Sequence, residues 1–86
     1  MSEWLRWSDL EAQIPFHELP AFHRAFLKLH RPELSADTLP LRRVQQYVNQ
    51  TLQSLALEGK ARRVDEDYEV KPELIPYSYR ALWHQS

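Results

Sequence analysis

The chain has no cysteine and a single glycine. Without thiols there is no disulfide framework to staple a small fold and no thiolate metal site, which suits a reducing compartment and predicts a cytoplasmic protein. With one glycine there is no glycine-rich loop to cradle phosphates. Carboxylates paired at catalytic spacing are missing too, so the sequence predicts a protein that is not an enzyme and uses no cofactor. No apolar run approaches the roughly 18 residues that span a bilayer, and nothing before Ser8 reads as a secretory leader, so no membrane partner is expected. One absence is local: no acid stands between Leu41 and Leu57.

What is present points to one folded domain. A chain of 86 residues buries only about 60–65% of its unfolded surface, enough for one modest core. Aromatic residues make up 12% and include three tryptophans, too many rings for a disordered segment. The net charge of −1 conceals an asymmetry. From Arg42 to Arg63 five cations face Glu58 alone, a net of +4, and the remaining residues therefore carry −5. Such a distribution can orient a nearly neutral protein on an anionic surface.

The stretch from Leu39 to Glu58 organises the rest. Leu41, Val44, Val48, Leu52 (with Thr51 beside it) and Leu55 recur at the helical period and form one apolar stripe. Arg42, Gln46, Asn49 and Gln53 lie opposite, flanked by Arg43, Gln45 and Gln50. Solvated helix faces ordinarily mix acids with bases. Arginine and side-chain amides without acids are the set that can place two hydrogen bonds on a base edge. With no Gly or Pro inside it, the segment reads as one helix over 39–58, although a break near Gln45 into a helix-turn-helix stays open.

Before it, Ser8-Asp9-Leu10-Glu11 has the form of a capping box that starts a short helix ended by Pro15. Trp4 and Trp7 either begin that helix or form an extended arm. A second helix starts at Pro20 and stops before Pro32, with Leu19, Phe22, Phe26 and Leu29 as its core stripe. His17, His23 and His30 lack carboxylates at ligand spacing, so they are read as surface or partly buried histidines and no metal is expected. Asp37 or Thr38 is expected to cap the third helix, with Pro40 in its first turn.

Beyond that helix, Gly59 is placed to terminate it. Residues 60–64 and 68–71 then alternate around the acidic loop Asp65-Glu66-Asp67, which predicts a β-hairpin with Val64, Tyr68 and Val70 facing the core. Residues 1–72 thus form a domain and 73–86 an apolar tail. Leu74, Ile75, Tyr79, Leu82 and Trp83 are too apolar to hang free. The tail is expected to dock near Trp4 and Trp7, or to pair with a protein partner or a second copy of the chain.

The fold class that follows is mainly α with a small β-hairpin: a three-helix core plus a C-terminal tail. Three helices and a hairpin, with a third helix ending L-x-x-L-x-x-x-G-K over Leu52 to Lys60 and a basic first strand, resemble the winged-helix family of helix-turn-helix domains. Val48 to Lys60 is also similar to the recognition helix of the Z-DNA-binding members. There the residue matched by Asn49 contacts the backbone, and a Tyr one turn later packs on a base. Gln53 stands in that place here and the hairpin loop is acidic and lacks the family's prolines, so the Z-form activity is not carried over. The resemblance implies a third helix in the major groove and a wing over neighbouring backbone. Arg42, Arg43, Gln46, Asn49, Gln50 and Gln53 become base-edge or phosphate contacts, and Lys60, Arg62 and Arg63 phosphate contacts. Double-stranded DNA is the partner this predicts, for a small transcription regulator or an accessory subunit. The competing reading is a protein-interaction module that uses the acidic wing and the aromatic termini, since Asp65, Glu66 and Asp67 would repel a phosphate backbone.

Overall fold

The structure is a computed structural model that describes residues 4–80. Strand β1 (Leu5–Arg6) runs into helix α1 (Trp7–Ala12), followed by α2 (Leu19–His30), α3 (Leu41–Leu57), the hairpin β2 (Ala61–Val64) and β3 (Asp67–Val70), and a short α4 (Tyr77–Arg80). The domain is mainly helical, with a three-stranded antiparallel sheet in the order β1-β3-β2. Both alternatives for the N-terminal tryptophans are used. Leu5 and Arg6 are extended and pair with Val70 and Glu69, and Trp7 then opens α1.

Helix α3 buries Val44, Val48, Thr51, Leu52 and Leu55, and the Thr51 hydroxyl is satisfied by the Tyr47 carbonyl at 2.7 Å. Leu41 is half exposed, so the stripe begins one turn later than the period alone implies. The expected caps do other work. Asp37 pairs with Lys28 at 2.7 Å and the Thr38 hydroxyl donates to the Ser35 carbonyl. Pro40 itself occupies the N-cap position, with no side-chain cap. At the other end Gly59 takes φ 79°, Lys60 N–H donates to the Leu55 carbonyl at 2.9 Å and Gly59 N–H to the Ala56 carbonyl at 3.1 Å. That pair of bonds is the Schellman arrangement, and it needs a left-handed residue where glycine stands.

Helix α2 crosses α3 with Phe22, His23, Phe26 and Leu27 buried. Leu29 is 50% exposed and Leu27 takes its expected place. The shift is a rotation of about one residue that brings the rings of Phe22 and Phe26 against Trp7, at centroid distances of 5.3 and 4.8 Å. It also buries His23 fully, beyond the surface or partly buried position expected for it. The Arg24 guanidinium donates to the Ala36 carbonyl and, at 2.9 Å, to the Leu39 carbonyl, and so fixes the loop that leads into α3.

The hairpin closes through a two-residue turn at Asp65 and Glu66, with Asp65 at φ 57° and Asp67 already in β3. Its register pairs Ala61 with Val70, Arg62 with Glu69, Arg63 with Tyr68 and Val64 with Asp67. A turn of even length pairs odd-numbered with even-numbered residues, so sequence parity does not carry across it. Buried Ala61 and Val70 therefore share the inner face with Arg63 and Tyr68, and Val64 lies on the other face with Arg62, Glu69 and Asp67. The expectation that Val64 joins Tyr68 and Val70 at the core is corrected by this register.

Just beyond β3 the Lys71 ammonium stands 5.3 Å from the centroid of the Trp4 ring, and the chain then lies on α2, where it meets Phe22, a neighbour of Trp7. Ile75 is fully buried, Tyr79 sets its edge against Phe22 at 5.0 Å, and His30 Nε2 donates to the Leu74 carbonyl at 2.7 Å. Leu82 and Trp83 lie outside the described residues.

Candidate nucleic-acid interface

The side chains singled out on α3 all reach solvent: Arg42, Arg43, Gln46, Asn49, Gln50 and Gln53 are exposed. The spacing 42, 46, 49, 53 keeps four of them in one row along the helix. Among the described residues neither Arg42 nor Arg43 is in a salt bridge. Both stand in the first turn, where the helix dipole disfavours cations and where no side chain caps the free amides.

The cations of the hairpin are differently placed. Lys60 pairs with Glu58 at 3.3 Å. Arg62 pairs with Glu69 at 2.8 Å and lies 4.0 Å from the centroid of the Trp4 ring. Arg63 donates to the Asp65 carbonyl at 3.0 Å and to the Tyr68 hydroxyl at 3.3 Å, and stands over that ring at 5.2 Å. Because they alternate along β2, Arg62 and Arg63 point from opposite faces of the sheet. The nine candidate residues therefore do not all share one face. The six on α3 stay together and the three on the hairpin divide.

Beside α3 lies a cleft of about 500 Å³ between that helix, α1 and the hairpin turn, lined by Trp7, Ser8, Glu11, His23, Gln45, Val48, Asn49, Leu52, Glu66, Asp67 and Tyr68. Asn49 thus borders both the open face of α3 and the cleft. Ser8 and Glu11 line it as well, and they do not form the expected capping box. Ser8 sits inside the first turn of α1, and its hydroxyl and amide both donate to Asp67, at 2.6 and 3.3 Å. An aspartate 59 residues away in sequence thus caps α1 in place of a local side chain. Glu11 accepts instead from His23 Nε2 at 2.6 Å, since a carboxylate can only accept. That bond gives a partner to one ring nitrogen of an imidazole that is only 4% exposed. The other two histidines are elsewhere, His17 near Glu18 at 3.7 Å and His30 on Leu74.

Burial works against ionisation of Asp67. It is outweighed by hydrogen bonds from the Ser8 hydroxyl, the Tyr68 amide and the Ser8 amide and by the charge of Arg6, which together hold the carboxyl below its usual range. A carboxyl lowered on folding stabilises above its unfolded pKa of about 3.9, and that contribution is lost as pH falls through the folded value. Asp67→Asn is expected to destabilise by about 1 kcal/mol at neutral pH, the size of a lost helix cap. In urea melts the gap between parent and variant should be full above about pH 5 and close as the pH falls below the folded pKa. A gap that is the same at all pH values would show that the charge of Asp67 does not matter.

No family model, no curated protein and no solved structure matches the chain. Among the described residues no helix is long and apolar enough to cross a membrane.

Proposed function

We propose that this domain is a cytoplasmic DNA-binding module, a regulator or an accessory subunit of a DNA-acting complex, that reads duplex DNA with α3. The support is the first turn of that helix. Two arginines stand where the dipole repels them, no acid lies in the turn, and no side chain caps its amides. Each choice sacrifices helix stability, and each is reversed by a phosphate at the helix start. In that orientation Gln46, Asn49, Gln50 and Gln53 lie along the groove as base-edge contacts. Arg62 and Arg63 are already engaged with Glu69 and Tyr68, so the N-terminal half of α3 leads and the hairpin contributes less than in the winged-helix pattern.

Fluorescence anisotropy with random duplex DNA over a salt series tests this. Affinity should fall with salt at a slope of about 0.9 per neutralised phosphate. Arg43→Ala should lower that slope by about one, whereas Arg62→Ala should change it little. Asn49→Ala should leave the slope alone and, on a panel of defined duplexes, relax preference at one base pair. No binding in the tens of micromolar at low salt, or Arg43 and Asn49 variants both equal to the parent, removes α3 as the reading element. A protein-interaction role is the second reading, favoured by the solvent exposure of Phe16, Leu57 and Tyr77 at 88%, 90% and 84%.

A further inference from the structure

The cleft between α1, α3 and the hairpin turn has the opposite electrostatic character to the first turn of α3. Three carboxylates line it, those of Glu11, Glu66 and Asp67, and no lysine or arginine does. The cations nearby are accounted for. Arg6 acts on Asp67, and Arg63 stands over the Tyr68 ring with its guanidinium tied to the Asp65 carbonyl. Like-signed groups in a concave, partly apolar site concentrate field there, so an anion is repelled and a cation drawn in. The size falls in the range of about 300–1,000 Å³ that ligand sites occupy.

We propose that this cleft receives an arginine side chain presented by a protein partner. Its floor and walls match a guanidinium group in three ways. Glu66 sits in the two-residue turn, exposed and in no salt bridge among the described residues, and offers a carboxylate to a forked donor. The side-chain amides of Gln45 and Asn49 on the facing helix add carbonyl acceptors. Tyr68, half-buried at the wall, supplies aromatic surface and already takes the guanidinium of Arg63 over its ring, while the buried Trp7 closes the floor. A planar, weakly hydrated cation with five donors uses all three; an ammonium uses mainly the first. Glu11 and Asp67 contribute charge while keeping their bonds to His23 and Ser8, so occupancy requires no rearrangement of the pairs that hold α1 in place. This inference does not rest on the DNA reading: α3 could bind duplex DNA with the cleft empty, or the cleft could be filled in a protein that binds no DNA.

The test is a titration of the full chain, labelled with nitrogen-15, with N-acetyl-arginine amide, followed by amide chemical shifts. The isosteric, neutral citrulline amide is the control. The arginine compound should produce saturable shifts at the Ser8, Glu66 and Asp67 amides and at the Asn49 side-chain amide, with a dissociation constant in the low millimolar range, and the citrulline compound should produce none of them. Glu66→Gln should weaken binding by about three- to fivefold, the size of one partly exposed charge pair. Glu66→Lys should abolish it, with thermal melts near the parent because the residue is exposed. The idea is overturned if the shifts do not saturate, if citrulline reproduces them, or if both Glu66 variants bind as the parent does.

Discussion

Phe22→Ala should leave the chain without a cooperative unfolding transition, or within a kcal/mol or so of that point. Phe22 is fully buried, and three rings meet it: Trp7 at 5.3 Å, His23 at 5.8 Å and Tyr79 at 5.0 Å. These come from α1, from α2 itself and from α4, so the phenyl ring sits where three elements meet. Removing a buried Phe side chain costs about 3–5 kcal/mol, from lost burial and from the cavity left behind. A domain of this length has a total stability of about 4–13 kcal/mol, and the lower part of that range cannot absorb such a loss. Urea melts followed by near-ultraviolet dichroism, which reports the packed tryptophans, would decide. A variant within about 1 kcal/mol of the parent would mean that this ring cluster is not the centre of the core.

Cutting the chain after Pro72 should be nearly as severe. The piece removed contains Ile75, fully buried, and the Leu74 carbonyl that accepts from His30. It also carries the Arg80 guanidinium, which donates to the Ile75 and Glu73 carbonyls at 3.0 Å each and so braces the segment against itself. Loss of the Ile75 side chain alone compares with an Ile-to-Ala change of about 2–5 kcal/mol, and a partly buried imidazole left without its acceptor adds roughly 1–3 kcal/mol. Freeing the backbone returns entropy that offsets part of this. A net loss of about 3 kcal/mol lowers the melting temperature of a domain this small by roughly 12–24 °C. A truncated chain that melts like the parent would show that residues beyond 72 contribute no core. A shift from dimer to monomer on sizing, with melting unchanged, would instead assign the tail to an interface between copies.

The long helix was legible in the sequence because its stripe runs without interruption from Leu41 to Leu55 and its termination chemistry is local: one glycine in the right place suffices. The row of α3 site candidates followed directly, since a face opposite a buried stripe must be exposed. The arrangement of the hairpin was only half legible. Alternation identified two strands, but which residues faced inward depended on the length of the turn. With three consecutive acids the turn could take two residues or three, and the choice reverses every side chain of β2 relative to β3. Ser8 and Glu11 were the most misleading signal. The two residues do make the polar contacts their types suggest, yet with Asp67 and His23 rather than with each other, because the fold offered each a better-placed partner. Nothing local in the sequence marks Asp67 as a helix cap. The cleft, whose walls come from residues 7 to 68, is invisible to any reading that moves along the chain.

The long-range cap has a consequence for how the protein is made. At about 5–20 residues added per second, Asp67 leaves the synthesis machinery roughly 3–12 s after Ser8, from which it is 59 residues distant. A six-residue helix is far too short to persist alone, and β1 has no strand to pair with until β3 has followed. Trp7 can meet Phe22 and Phe26 once α2 is made, but the pairing of β1 and the Ser8–Asp67 bonds that cap α1 wait for the hairpin. The same strand, β3, supplies both the partner of β1 and the cap of α1.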